Sequence, residues 1–223
     1  MRRRRSRTTD DVRPVWAACS ALLDYPTADL LAALDDIEGL VAENPHLAGL
    51  LGHLRTTPLV DLQAEYVATF DHTRKCALYL TYFAYGDTRR RGQALVRFKE
   101  TYRAAGVAWD ESTGELPDHL CAVLQFGASV DRAGGGRLLA DHRAGVEMLR
   151  LALSGWRNDD GTSGSPWAGA LRAVCATLPE LRGDEADAVR RLVEQGPPAE
   201  DVGLEGYGAG PALIAPATLT VRS

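Results

Sequence analysis

Leu30-Leu31-Ala32-Ala33-Leu34-Asp35-Asp36-Ile37-Glu38-Gly39-Leu40-Val41 is the stretch on which the fold turns. Leu30, Leu31, Leu34, Ile37 and Val41 recur at helical spacing, while Asp35, Asp36 and Glu38 fall on the opposite side, toward water. Thr27, just upstream, is a residue type that caps a helix N-terminus. Working outward, the same signal repeats. Pro14, at a first-turn position, opens a helix to about Asp24, and Tyr25-Pro26 breaks it. Asn44-Pro45 closes the quoted helix. Leu47, Leu50, Leu51 and Leu54 mark a short helix, and Pro58 begins another with Leu59, Leu62, Tyr66, Val67 and Phe70 on one face.

Further along, Asp71 to Cys76 interrupts with polar residues, and an aromatic run follows, Leu78-Tyr79-Leu80-Thr81-Tyr82-Phe83-Ala84-Tyr85. Aromatics and Thr favour strands, but no partner strand is evident nearby, so the run reads as short helix or extended connector. Gly86 ends it, and Asp87 caps a long helix to about Ala105 with Leu95, Phe98 and Tyr102 on one face. Trp109 to Gly114 is a loop. Pro117 begins a helix carrying Leu120, Val123, Leu124, Gly127 and Val130, which Gly134-Gly135-Gly136 ends. A helix from about Leu138 to Leu153 follows, then a polar loop over 158–165. Two last helices, 166–178 and 184–195, complete the body. The expectation is an all-α, single-domain bundle of eight or nine helices around one core. Residues 1–12 form a basic, disordered tail, 13–196 the helical domain, and 197–223 a Gly/Pro-rich disordered tail.

Bulk properties agree with one globular domain. The 223 residues are 45% hydrophobic and 25% charged, an ordinary balance for a chain that buries a core. The formal charge is −5, and five arginines lie in the first seven residues; without them it falls to −10. An acidic body argues against nucleic acid as partner and suits a basic peptide. No apolar stretch follows the arginines, so they are not the start of an export signal. No apolar run approaches the ~18–20 residues that span a bilayer. The expected location is the cytoplasm, without membrane insertion. Cys19, Cys76, Cys121 and Cys175 are widely spaced, with no CxxC, and read as small buried hydrophobes.

Catalytic patterns are missing. His72 and Cys76 stand four apart, and Asp118, His119 and Cys121 cluster. A metal site needs three or four converging ligands, and no HExxH or CxxC supplies them. There is no GxSxG. Asp71-His72, Asp118-His119 and Asp141-His142 are neighbours in sequence whose side chains diverge on a helix. Gly134-Gly135-Gly136-Arg137 lacks the Lys-Ser/Thr of a phosphate loop. What remains is the concentration of Tyr79, Tyr82, Phe83 and Tyr85 in a chain only 7% aromatic. Tyr joins apolar area to a polar tip, which suits a face buried by an arriving partner. Ordinary core is the other reading of the same residues.

The stretch from Tyr66 through Phe70, Asp71, Thr73, Leu78-Tyr79-Leu80-Thr81-Tyr82, Gly86-Asp87-Thr88-Arg89-Arg90-Arg91-Gly92 and Ala94-Leu95 to Phe98 closely resembles the NarJ-like family. These are the molybdenum cofactor assembly chaperones of respiratory nitrate reductase, also called its delta subunit. Glu115-Leu116-Pro117-Asp118-His119-Leu120 resembles the acidic-proline signature of the wider redox-enzyme maturation chaperones, with one residue fewer between Pro and Asp. Leu22-Leu23-Asp24-Tyr25-Pro26 is similar to the family's opening. The similarity spans about Trp16 to Leu153.

The resemblance implies an all-helical, non-catalytic chaperone. Its partner would be the apo catalytic subunit of nitrate reductase, gripped by the N-terminal peptide, with proteins of molybdenum cofactor biosynthesis as further partners. No cofactor would be held stably; bis-molybdopterin guanine dinucleotide would be inserted into the client. The candidate peptide-binding residues are Phe70, Tyr79, Tyr82, Phe83, Glu115, Leu116, Pro117, Asp118 and His119. The aromatics would line a groove for an amphipathic helix, and Glu115 and Asp118 would meet its positive charge. Three alternatives stay open: a chaperone for another molybdoenzyme, a metal-dependent hydrolase using His72, Cys76, Asp118 and His119, and a permanent structural subunit.

Overall fold

The computed structural model describes residues 11–191 apart from 42, 43, 87, 159, 160, 162, 182, 184, 185, 188 and 190. The arginine-rich segment, the tail from 197, the cap read for Asp87 and most of the helix expected over 184–195 lie outside the described residues. Among those described, every regular element is helical, and extended backbone pairs only in two isolated bridges, Tyr79 with His119 and Arg157 with Ser163. The all-α expectation holds.

Eleven α-helices are described, more than the eight or nine expected. They are α1 (Arg13–Leu22), α2 (Ala28–Ala32), α3 (Leu34–Val41), α4 (Ala48–Thr56), α5 (Leu59–Tyr66), α6 (Tyr82–Tyr85), α7 (Arg89–Ala104), α8 (Leu120–Ser129), α9 (Arg132–Asp141), α10 (Arg143–Ser154) and α11 (Ala168–Ala176). Single 3-10 turns span Arg74–Cys76 and Glu111–Thr113, and α5 runs on into a π-helical turn, Val67–Asp71. The surplus comes from splits. The stretch quoted first is two helices, broken by a turn at Ala33. Thr27 caps the first of them, its hydroxyl accepting from the Leu30 N–H at 3.1 Å.

Two boundaries differ from expectation for a physical reason. Gly134-Gly135-Gly136 does not end a helix; it lies inside α9, which begins after Asp131, whose Oδ1 accepts from the Ala133 N–H at 3.0 Å. The glycines supply closeness instead of a break. A Cβ on Gly135 would stand 2.5 Å from the Gly127 Cα, and one on Gly127 would stand 2.8 Å from the Trp16 ring. Thus α8 and α9 meet backbone to backbone, and α1 closes over them. The expected long helix over 138–153 is likewise divided, at His142. The second boundary is Pro117, which does not begin α8. That helix starts at Leu120, with His119 in an extended N-cap conformation.

The core lies where α1 packs along α8 and α11, α8 on α9, and α10 on α11. Trp16, Leu22, Phe98, Tyr102, Leu124, Leu149, Trp167 and Leu171 are all buried there. Each contributes about 1.5–3 kcal/mol by leaving water. Two of the buried aromatics place their polar tips on partners: Trp16 Nε1 donates to Thr177 Oγ1 at 2.8 Å, and the Tyr66 hydroxyl to the Leu23 carbonyl at 3.0 Å, whereas the Trp167 indole N–H is buried without one. The four cysteines are free thiols, and Cys19, Cys76 and Cys121 are buried. Burial pushes Cys19 up to about 12 and Cys76 up to about 11, so both stay protonated at neutral pH. No helix among the described residues is long and apolar enough to cross a membrane.

Candidate functional site

The aromatic run does find a partner, one bridge long. Tyr79 sits opposite His119 in antiparallel sense. The Leu80 N–H donates to the Asp118 carbonyl at 3.1 Å, and the Leu120 N–H to the Leu78 carbonyl at 2.7 Å. Extended backbone alternates its side chains, so Leu78 and Leu80 point into the core and are buried, while Tyr79 between them is half-buried. Behind the run lies α10. A Cβ on Gly145 would stand 3.1 Å from the Leu80 carbonyl oxygen, so this glycine lets the helix press against the bridge.

Asp118 locks the arrangement. Its side chain is fully buried. Oδ2 accepts from the Thr81 N–H at 3.0 Å and from the Thr81 hydroxyl at 2.6 Å. Arg91 of α7 reaches the same point: its Nε donates to Thr81 Oγ1 at 3.1 Å, and its guanidinium lies 3.9 Å from Asp118 Oδ2. That guanidinium also stands 5.4 Å from the Tyr79 ring centre and 5.9 Å from that of Tyr82, within cation–π range. A buried carboxylate is tolerable only when paired and hydrogen-bonded. Thr81 and Arg91 meet that need at Oδ2, while Oδ1 is buried without a hydrogen-bond partner.

The outward side of this clasp is made by Tyr79, Glu115 and His119. The Tyr79 and His119 rings meet edge-on at 5.3 Å. Burial, then its hydrogen bond to the Glu115 carboxylate, pushes the Tyr79 phenol up to about 12, so it stays a donor at neutral pH. Glu115 Oε2 lies 4.0 Å from His119 Nε2, and Oε1 accepts from the Leu116 N–H at 2.8 Å. The Glu115 side chain is 38% exposed and that of His119 12%.

The sequence-derived residues thus divide. Tyr79, Glu115, Leu116 and His119 are half-buried. Tyr82, at 9% exposure, stacks edge-on against the buried Phe83. Pro117 and Asp118 are buried, and the Pro117 carbonyl accepts from the Tyr102 hydroxyl at 2.6 Å. Phe70 is in a different cluster, packed against Tyr66 and Trp167 in the core. Asp118 is turned inward onto Thr81 instead of toward solvent. Thr81 and Arg91 had not been singled out. Arg91 is half-buried while Arg89 and Arg90 are exposed, in keeping with its tertiary contacts to Thr81, Asp118, Tyr79 and Tyr82. His72 is exposed and Cys76 is in the core. Among the described residues no group of three or more His, Cys, Asp or Glu is placed to hold a metal ion. Chemically, the site offers an aromatic edge, a carboxylate and an imidazole on a stiff support.

The family model for the nitrate reductase delta subunit matches residues 32–158, more than half of the chain. This chain belongs to the nitrate reductase delta subunit family. The matched range contains the clasp and its surface. Among relatives, the probable nitrate reductase molybdenum cofactor assembly chaperone NarJ of Bacillus subtilis is 31% identical over 179 residues, covering 78% of this chain and 92% of that protein. The nitrate reductase molybdenum cofactor assembly chaperone NarJ of Escherichia coli is 33% identical over 142 residues, 60% of this chain and 59% of that one. The nitrate reductase-like protein NarX of Mycobacterium tuberculosis is 37% identical over 167 residues, 73% of this chain. The matched part is 24% of NarX, so this delta-family chain spans about a quarter of that relative's length. A crystal structure described as a redox enzyme maturation protein of Archaeoglobus fulgidus superposes with a TM-score of 0.57 at 22% identity, covering 78% of this chain and 98% of that one. That likeness speaks for the fold alone.

Proposed function

We propose that this chain is a non-catalytic assembly chaperone that binds the immature catalytic subunit of a respiratory nitrate reductase. It grips that subunit's N-terminal segment and keeps the client competent to receive bis-molybdopterin guanine dinucleotide and to join its membrane complex. Family membership supports the client class. The observation that carries the binding mode is the Tyr79–Glu115–His119 surface, seated on the Asp118–Thr81–Arg91 clasp. An aromatic edge beside a carboxylate suits an amphipathic basic segment, which brings apolar anchors and positive charge together. The clasp holds these groups in place before the partner arrives, which lowers the ordering cost of binding. In this reading Leu116 extends the apolar part of the surface, and Tyr82 backs it from the buried side. Pro117, Asp118 and Phe83 support it from beneath, and Phe70 acts through the core.

The test is calorimetry with a synthetic N-terminal peptide of the nitrate reductase catalytic subunit. Micromolar binding is expected. Tyr79→Ala should weaken it about tenfold, equivalent to about 1.4 kcal/mol, with the helical circular dichroism unchanged. Absence of heat at about 100 µM peptide, well above the Kd of ordinary peptide recognition, would sink the proposal. Binding to the corresponding peptide of a different molybdoenzyme, and not to this one, would move the client elsewhere.

A further inference from the structure

A second concave site lies between α4 and the approach to α11, and shares no residue with the clasp. Its cleft of about 630 Å³ is lined by the α4 residues Gly49, Leu50 and His53 with His46 before them, by Ser154 at the end of α10, by Ser163 to Pro166, and by Ala168, Gly169 and Arg172 of α11. The local geometry is set by glycine. Gly164, at φ +97°, takes a conformation that favours glycine. Its N–H donates to the Trp156 carbonyl at 2.8 Å, and the Ser165 N–H to the Leu153 carbonyl at 2.8 Å, so the loop is tied down on α10. Gly169 lets α11 approach the other wall, since a Cβ there would stand 2.3 Å from the His46 carbonyl oxygen.

Three features of this cleft point the same way. Ser165 is only 4% exposed, yet its hydroxyl has no hydrogen-bond partner. The Ser154 hydroxyl, at the end of α10 to which this loop is tied, is also buried and unpartnered. Buried polar groups in native proteins are almost always satisfied, so two such hydroxyls in one cleft mark where an external group supplies the missing bonds. The second feature is charge. The body is acidic, yet no described residue lining the cleft is Asp or Glu, whereas His46, His53 and the exposed Arg172 are there. His53 is already engaged, with Nε2 2.7 Å from Glu65 Oε2 and Nδ1 3.3 Å from Thr57 Oγ1. Arg172 and His46 are the groups left to face a ligand. Third, the cleft includes the first turn of α11, the positive end of that helix's dipole. Its leading N–H groups are bonded back to Ser165, Pro166 and Trp167, so the dipole and not the free amides would act.

We infer that this cleft binds an oxyanion, a phosphoryl or carboxylate group of a small solute, held by the Ser154 and Ser165 hydroxyls with Arg172 as counter-charge. Titration of the full chain at constant ionic strength tests it, using pyrophosphate in one arm and malonate in the other, read by calorimetry and by thermal melting. A Kd of about 1 mM or tighter is expected, with a melting temperature that rises with ligand. Ser165→Ala and Arg172→Gln should each weaken binding at least about tenfold, the equivalent of one charge-assisted hydrogen bond, while melting normally without ligand. Pyrophosphate binding alone identifies a phosphoryl ligand, and malonate binding alone a carboxylate. No binding in either arm, or binding that both variants leave intact, overturns the inference. Neither result bears on the peptide surface, which uses other residues.

Discussion

At the scale of single residues, Asp118 is the most consequential side chain in the candidate site, although it presents nothing to solvent. One of its oxygens gathers two bonds from Thr81 and the charge of Arg91. Removing it leaves the Thr81 N–H and hydroxyl without their acceptor and a half-buried guanidinium without its carboxylate. Asp118→Ala should therefore lower unfolding free energy by about 2–4 kcal/mol, in line with breaking a buried charged pair from one side. Asp118→Asn keeps an acceptor for the Thr81 N–H and hydroxyl and loses only the charge, so its cost should be smaller. Urea titration of the two variants checks the order. A loss under about 0.5 kcal/mol for the alanine variant, typical of an ordinary surface change, would mean that the clasp does not hold the site.

At the scale of elements, the contact between α8 and α9 gives a prediction whose sign is diagnostic. In an isolated helix, replacing Gly by Ala stabilises by about 1 kcal/mol. At Gly135 the added carbon would meet the Gly127 backbone at 2.5 Å, and backbone cannot yield as a side chain can. Gly135→Ala should destabilise by about 1–3 kcal/mol. Gly136→Ala is the control in the same turn, because its Cβ would reach Trp16 only at an ordinary 3.5 Å; it should be neutral or stabilising. Equal effects at both positions, read from denaturant midpoints, would show that helix propensity and not the crossing decides. The same glycines show what a sequence can reveal. Leu34 to Val41, Leu47 to Leu54 and Phe98 to Tyr102 were legible as helix because apolar spacing belongs to one element, whereas the same spacing carried across Ala33 hid the break between α2 and α3. Gly134 to Gly136 were misread as a break because their role is a meeting of two helices, which no single segment displays. Pro117 was misread as a helix start because it sits in a turn closed by the His119 N–H on the Leu116 carbonyl, after which His119 is extended and its neighbours Asp118 and Leu120 bond to Leu80 and Leu78. Tyr79, Glu115 and His119 were legible as a set from two local motifs. Arg91 was not, since only the packing of α7 distinguishes it from Arg89 and Arg90.

At the scale of the whole molecule, two half-buried groups make the fold acid-sensitive in two separate windows. His142 sits at the joint between α9 and α10, its ring 4.9 Å from that of Phe98 and its Nδ1 2.9 Å from the Leu138 carbonyl oxygen. Burial holds its pKa below the ordinary 6.5; the Leu138 carbonyl, Asp141 and Asp118 pull the other way without cancelling this, and Arg97 adds to it. The unfolded chain then binds a proton on this residue at a pH where the folded chain still resists it. Stability is full above about pH 6.5 and is lost as pH falls from there through the folded value. Glu147 acts lower on the scale. Burial opposes its ionisation, but Arg150 and then Arg143 outweigh that and hold its carboxyl below the ordinary 4.5. Its contribution is present above 4.5 and disappears as pH falls through the depressed value. Melting temperature should accordingly decline in two stages on acidification, the first setting in as pH falls below about 6.5 and the second below pH 4.5. His142→Gln keeps a donor for the Leu138 carbonyl but has no proton to gain, so it should flatten the first stage and leave the second in place. Melting curves at half-unit pH steps decide it: an unchanged first stage in that variant would mean that another group, and not the joint between α9 and α10, takes up the first proton.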